Sequence, residues 1–339
     1  MKNTPSTTLI VGLIGAGPMG RRRAEAIKAS PGSSLAIVAD IDEPRARTLA
    51  REVECQATAR WQDVVEREDI DIVVVSLPTY LLAPVSLAAL KGGKHVLCEK
   101  PLARTVDEAH DMVETARACG VMLKTGYNLR HYPAIKKAHD HLPDLGELLF
   151  LRCRYGHGGR PGYEKEWRCS PELSGGGELK DQGVHIIDLF RWFMGDFTSA
   201  QGTVSTSFWD MKVEENAFAI LQTAKGQPAN LHASWTQWKN LFSLEVFGKN
   251  GYAIVEGLGG SYGVPKLTLG WRPPQGGVPK QEVHEFPGPD LSCHEEWAEF
   301  TSAIRDGREP MASGFDGLQV LRTVYAIYQS AREGRTVKL

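Results

Sequence analysis

The sequence predicts an α/β fold: a doubly wound parallel sheet over residues 1–125, then an α+β domain with a large, mostly antiparallel open sheet over 126–339. Three observations carry that expectation. From Thr8 to Thr125 short apolar runs alternate with helix-periodic stretches. Beyond Gly126 the apolar runs follow one another with turn residues between them. A length of 339 residues also exceeds what one hydrophobic core usually serves.

In the first part LIVGLI, SLAIVAD, DIVVVSL, KHVLCE and VMLKT read as strands that are apolar on both faces, the pattern of parallel strands covered by helices. Periodic segments at 18–29, 43–53, 81–91 and 105–119 read as the helices between them. Right-handed crossovers then place ligands at the carboxyl ends of the strands. In the second part a helix at 133–141 precedes strands at 147–155, 197–207, 216–223, 229–236, 242–248 and 252–256. The Gly- and Pro-rich stretch 257–288 holds two short strands, on the sheet or at a subunit contact. Helices His294–Arg305 and Phe315–Glu333 close the chain, with the last helices able to pack back on the first domain.

Composition narrows the function classes. Apolar residues at 42% and charged residues at 24% are ordinary globular values. A net charge of −2 without a basic block offers no footprint for nucleic acid or an anionic membrane, so the expected partner is a small molecule. No apolar run has the length of a membrane span, and Met1–Thr8 is polar, unlike a signal peptide; the cytoplasm is the expected location. The six cysteines (Cys55, Cys98, Cys119, Cys153, Cys169, Cys293) show no C-x-x-C spacing, which speaks against a zinc site or a disulfide framework.

Chemistry is concentrated in three motifs. Gly15-Ala16-Gly17-Pro18-Met19-Gly20 follows the first strand and opens a helix, the context that gives G-x-G-x-x-G meaning. Gly15 permits the tight turn, Gly17 the approach of a pyrophosphate and Gly20 close helix packing, with the helix N-terminus facing the phosphates. Asp40 ends the second strand, where a carboxylate receives the ribose hydroxyls. Asp40 repels a 2′-phosphate and Ile41 supplies no cation, so NAD is expected over NADP, although Arg45 on the next helix could reach a phosphate. The second motif, Glu99-Lys100-Pro101, puts Lys100 at the carboxyl end of a strand, where Pro101 forces the chain off the sheet. The expected cofactor contacts here are Gly15, Gly17, Pro18, Met19, Gly20, Asp40, Ile41, Leu77, Pro78, Glu99 and Lys100.

The third motif begins with Ser174-Gly175-Gly176-Gly177-Glu178, read as a flexible break, and continues into a helix on which Asp181, His185 and Asp188 share one face. That face could carry an acid/base pair, a structural histidine or a metal trio, although no second ligand cluster supports the metal.

In this order the motifs resemble the glucose-fructose oxidoreductase / inositol dehydrogenase / MocA family, which pairs a Rossmann domain with an open-sheet α/β domain. Val96-Leu97-Cys98-Glu99-Lys100-Pro101-Leu102, Gly126-Tyr127-Asn128 and Gly175 through Asp188 carry the likeness beside the glycine motif. Thr79 and Leu82 depart from it, standing where the family commonly has Asn and His. The resemblance implies an NAD-linked dehydrogenase or reductase of a sugar or cyclitol in which Lys100 holds substrate near the nicotinamide, His185 is the general acid/base, Asp181 orients substrate or His185, and Asn128 faces cofactor and substrate. It leaves open a glycoside hydrolase that oxidises the ring transiently, and a non-catalytic dinucleotide sensor.

For the substrate the expected contacts are Lys100, Asn128, Arg130, Arg168, Lys180, Asp181 and His185. Arg130, Arg152, Arg154, Arg160, Arg168 and Lys180 would together suit a carboxylate, sulfonate or phosphate on a polyhydroxylated ring. Trp209, Trp235 and Trp238 are candidates for stacking on a sugar or for packing. The aromatic stretch Ala233–Trp238 would leave an exposed apolar patch on a monomer, so a homodimer or homotetramer through the second sheet is expected.

Overall fold

A computed structural model describes residues 8–339; residues 1–7, and with them most of the polar stretch Met1–Thr8, lie outside the described residues. The chain divides into two compact units, one of residues up to 127 with 293–318, the other of 128–292 with 319–339.

The first unit is built on β1 (Leu9–Ile14), α1 (Pro18–Ala29), β2 (Ser33–Ala39), α2 (Glu43–Val53), β3 (Gln56–Thr58), α3 (Gln62–Val65), β4 (Ile72–Val75), α4 (Thr79–Lys91), β5 (His95–Glu99), α5 (Val106–Cys119) and β6 (Leu123–Gly126). Its six strands are all parallel in the order β3-β2-β1-β4-β5-β6. The order reverses between β1 and β4, and the crevice at such a switch point is where open α/β sheets bind ligands. Val11, Leu13, Val73, Val74, Val96 and Leu97 are fully buried, which is why these runs read as apolar on both faces. Helix starts follow local chemistry: Pro18 stands at the first position of α1, Asp42 accepts the Arg45 N–H ahead of α2, and Thr105 and Glu108 form a capping box on α5. The sequence reading missed β3 and α3, because Gln56-Ala57-Thr58 is a short edge strand with no apolar run.

The second unit contains α6 (Pro133–Asp140), α7 (Leu142–Leu145), β7 (Leu148–Gly156), α8 (Pro171–Ser174), a π-helical turn at Leu179–Gly183 that runs into α9 (Val184–Met194), then β8 (Phe197–Ser205), β9 (Asn216–Thr223), β10 (Pro228–Ser234), β11 (Leu241–Gly248), β12 (Gly251–Glu256), β13 (Lys266–Trp271) and β14 (Lys280–Glu285). With β15 (Val337–Lys338) these strands form one nine-stranded sheet, ordered β14-β13-β12-β11-β7-β10-β9-β8-β15. Only β7 and β10 pair in parallel. The stretch 257–288 therefore contributes two more strands to the sheet.

One expectation needs correction. The stretch Ala233–Trp238 is not an exposed strand: β10 ends at Ser234, and Trp235 is fully buried against Tyr163, Cys169 and Val213. Only Trp238 is open, at 67% exposure. Apolar side chains exposed on the sheet itself include Phe218 and Ile220 of β9, with His232 stacked on Phe218 at 3.9 Å, beside Leu149 of β7 and Val283 of β14. The closing helices divide between the units. Helix α10 (Ser292–Asp306) precedes α11 (Gly314–Glu333), and Cys293, Trp297 and Phe300 of α10 pack with Ala24, Ile27 and Leu35 in the core of the first unit. That apolar face ties 293–318 to the first unit, whereas 319–339 belongs to the second.

Among the described residues no helix is long and apolar enough to cross a membrane, and no group of three or more His, Cys, Asp or Glu could hold a metal ion.

Candidate active site

The glycine turn is shaped to receive a phosphate. Gly15 has φ +102°, and a Cβ there would lie 2.0 Å from the Ser76 carbonyl oxygen; one on Gly20 would lie 1.9 Å from that of Gly15. Gly17 differs, with nothing within 4 Å of where its Cβ would be. That open space ahead of α1 is what a pyrophosphate needs, so the residues present fit a dinucleotide.

Asp40 follows β2 directly. Its Oδ2 accepts the Ala16 N–H at 2.8 Å and its Oδ1 the Asp42 N–H at 2.9 Å, which ties it to the glycine turn. Arg45 lies near it, Nη1 standing 3.7 Å from Asp40 Oδ2 while Nη2 pairs with Asp42 at 2.9 Å. Ile41 is 95% exposed. Pro18 is exposed, whereas Met19, Leu77 and Pro78 are half-buried. Thr79 and Leu82, the departures from the family pattern, are buried.

Strand β5 ends at Glu99, and the next bond, Lys100-Pro101, is cis. The sequence reading set Glu99 among the cofactor contacts, but its carboxylate turns to Arg23 of α1, whose Nε donates to Oε1 at 2.7 Å. Arg23 Nη1 also donates to Glu296 of α10. Burial alone would weaken the Arg23 charge, but Glu296 and Glu99 outweigh it and hold the guanidinium protonated. Lys124 of β6 extends the cluster, 3.3 Å from Glu299 and 3.9 Å from Glu296. Gly126 makes room for it, since a Cβ there would fall 2.8 Å from Glu99 Oε2 and 2.9 Å from Arg23 Nη2. The residue before Lys100 is thus locked by a buried ion cluster, and Lys100 itself is half-buried.

In the second unit Asp181 and His185 stand on the π-helical turn and the first turn of α9. Asp188 parts from them chemically: Arg130 Nε and Nη2 donate to its two oxygens at 2.9 and 2.6 Å, and both residues are buried. A carboxylate gripped in this way does not complete a metal trio. Arg168 Nε lies 3.8 Å from Asp181 Oδ2, and the same guanidinium donates to Glu166. Lys180 is buried with its Nζ 5.5 Å from the centre of the Tyr325 ring. Asn128 donates to Ser292 Oγ at 2.8 Å.

Tyrosines surround this face. The Tyr155 ring lies 6.3 Å from His185 and 5.6 Å from Tyr262. Gln182 Nε2 donates to the Tyr262 hydroxyl at 3.3 Å. Burial pushes the Tyr262 hydroxyl up to about 12 and Tyr155 well above its usual range, with the charge of Asp181 acting in the same direction on both. They therefore stay protonated hydrogen-bond donors. Tyr155, Tyr262 and Gln182 carry no motif in the sequence; Tyr262 lies in a short turn of the Gly- and Pro-rich stretch, ahead of its two strands.

Four of the six basic residues expected to suit an anion are paired. Arg130, Arg152, Arg160 and Arg168 each pair with a carboxylate of their own unit, Asp188, Glu245 and, for the last two, Glu166. The glycine run, expected as a flexible break, is tightly packed: a Cβ on Gly177 would lie 2.1 Å from the Glu214 carbonyl oxygen, and one on Gly176 2.2 Å from the Tyr328 hydroxyl.

Residues 9–127 match a family model described as an oxidoreductase family with an NAD-binding Rossmann fold, and residues 143–254 match a GFO/IDH/MocA C-terminal domain. A dTDP-3,4-didehydro-2,6-dideoxy-alpha-D-glucose 3-reductase of Streptomyces antibioticus is 30% identical over 305 residues, 89% of this chain and 88% of that protein. A levoglucosan dehydrogenase of Pseudarthrobacter phenanthrenivorans is 29% identical over 231 residues, 64% of this chain and 59% of that protein. The fold is that of a solved levoglucosan dehydrogenase in complex with NADH and L-sorbose, with a TM-score of 0.89 and 24% identity over 98% of this chain and 99% of that one.

Proposed function

The chain belongs to the GFO/IDH/MocA oxidoreductase family, and from that premise we propose that it moves a hydride between NAD and a secondary hydroxyl, or the matching ketone, of an uncharged sugar or cyclitol. The observation that carries the substrate class is the company of Asp181 and His185: hydroxyl donors from Tyr155 and Tyr262 stand near them, while the neighbouring guanidinium groups are already neutralised. Neutral hydroxyls suit such a wall, and a free phosphate or carboxylate does not.

In the oxidative direction His185 takes the proton of the alcohol, because an imidazole exchanges protons near neutral pH. Asp181 orients His185 or a neighbouring hydroxyl. Lys100 stabilises the developing alkoxide with its ammonium group. Bound NAD supplies a hydride acceptor at nicotinamide C4. Glu99 and Arg130 serve as struts, not ligands.

The enzyme assembles as a dimer or tetramer through the sheet face that bears Phe218, Ile220 and His232; a monomer by light scattering would contradict this. Its place is the cytoplasm, where six unbridged cysteines stay reduced.

The test is net NADH formation with NAD and a panel of neutral sugars and cyclitols, set against sugar acids, sugar phosphates and glycosides. Turnover confined to anionic sugars would defeat the uncharged assignment. A glycoside cleaved without net NADH would replace the dehydrogenase reading with hydrolysis through transient oxidation.

A further inference from the structure

We propose that Glu214, held by Tyr328, is a positioning residue that sets the helical turn carrying Asp181 and His185; this rests on the acid/base reading of that pair. Glu214 lies in the loop between β8 and β9, far in sequence from the turn it holds. Its Oε1 accepts the Gly177 N–H at 3.0 Å, the Leu179 N–H at 3.1 Å and the Tyr328 hydroxyl at 2.6 Å, and its Oε2 also accepts the Gly177 N–H at 3.0 Å. The Glu214 carbonyl oxygen accepts the Glu178 N–H at 3.0 Å.

One residue therefore answers three consecutive N–H groups at the start of the helical run, donors that the helix cannot satisfy itself. Its negative charge also suits the positive end of that run. The next link is direct: the Gly177 carbonyl oxygen accepts the N–H groups of Lys180 and Asp181, each at 3.0 Å. Asp181 hangs from Gly177, and Gly177 hangs from Glu214.

The support is rigid on its other side. Glu215 accepts the N–H groups of Ser207, Phe208 and Trp209 at 2.8, 2.9 and 2.7 Å, fixing the loop from which Glu214 projects. The glycines have their reason in the same contact, because a side chain on Gly176 or Gly177 would collide with Tyr328 or with Glu214 itself.

Glu214→Gln keeps the shape but points an amide N–H₂ toward backbone donors, and Tyr328→Phe removes a single hydrogen bond. Glu214→Gln is expected to lower kcat by roughly 10- to 100-fold, the cost of misplacing a reacting group. Tyr328→Phe gives a smaller loss in the same direction, and it carries the test should the glutamine variant fail to fold. NADH affinity, read by nucleotide fluorescence, stays at the wild-type value in both. In a His185→Ala background Glu214→Gln adds no further loss, since the two act as one unit.

A second readout does not depend on activity. The imidazole resonances of His185, assigned by their loss in His185→Ala, shift in Glu214→Gln and less in Tyr328→Phe. Unmoved His185 resonances together with wild-type kcat in a folded variant would overturn the proposal, as would losses that multiply in full with those of His185→Ala. Were His185→Ala itself fully active, the acid/base reading would fall, and the resonances alone would decide the role of Glu214.

Discussion

Arg130 holds Asp188 through two parallel hydrogen bonds, Nε at 2.9 Å and Nη2 at 2.6 Å, inside the second unit. Such a fork is strong and directional. Breaking a buried pair strands one charge, so Arg130→Met is expected to cost about 3 to 5 kcal/mol, read as a lowered midpoint in urea. Replacing both partners with apolar residues of similar volume should recover much of that loss. A variant that is fully stable but has lost affinity for substrate would return Arg130 to the list of ligands.

His185 is the acid/base group in the proposed mechanism. His185→Ala should leave NAD binding intact while turnover falls roughly 10²- to 10⁴-fold. Measuring kcat beside the nucleotide dissociation constant separates the two, and unchanged turnover would remove His185 from the chemistry.

In the proposed cofactor site Asp40 selects between NAD and NADP, and Arg45 bears on that choice. Its carboxylate stands 3.7 Å from the Arg45 guanidinium. Removing the carboxylate ends the repulsion and releases Nη1 of Arg45, whose Nη2 keeps its pair with Asp42, so Asp40→Ser alone should already improve NADP binding. Adding Ile41→Arg supplies a second cation at a position 95% exposed, each charge-assisted contact contributing about 1.5 to 3 kcal/mol. Titrating wild type and both variants with NAD and NADP checks this; wild type preferring NADP would mean that Arg45 already captures the phosphate.

Glu299 provides a pH dependence. Burial opposes its ionisation, but Lys124, the Met311 N–H and Arg308 outweigh that and hold the carboxyl below its ordinary value of 4.5. A carboxylate depressed in the folded chain contributes stability that is present above the unfolded value and lost as pH falls through the folded one. Glu299→Gln should lower Tm at neutral pH and flatten the decline of Tm on the acid side, below about pH 4.5. Thermal melts across that range decide it, and parallel curves for the two proteins would show that Glu299 carries no such linkage.

The βα alternation of the first unit, the turn at Gly15, Gly17 and Gly20, Asp40 at the end of β2 and even the two strands within 257–288 were legible in the sequence. Each rests on local chemistry: a period of apolar residues, a backbone that only glycine allows, a carboxylate one residue past a strand. Tertiary structure decided what the charged and aromatic residues do. Glu99 meets Arg23 from 76 positions away, Arg23 meets Glu296 across 273, and Asp188 meets Arg130 across 58. A charge that looks available in the sequence is paired across the fold, and Trp235, which looks exposed, is fully buried. The reason is physical: helical and strand periods are short-range and leave a trace in neighbouring residues, whereas an ion pair or a packed indole is selected by whichever partner the fold brings near, and sequence spacing does not record that choice.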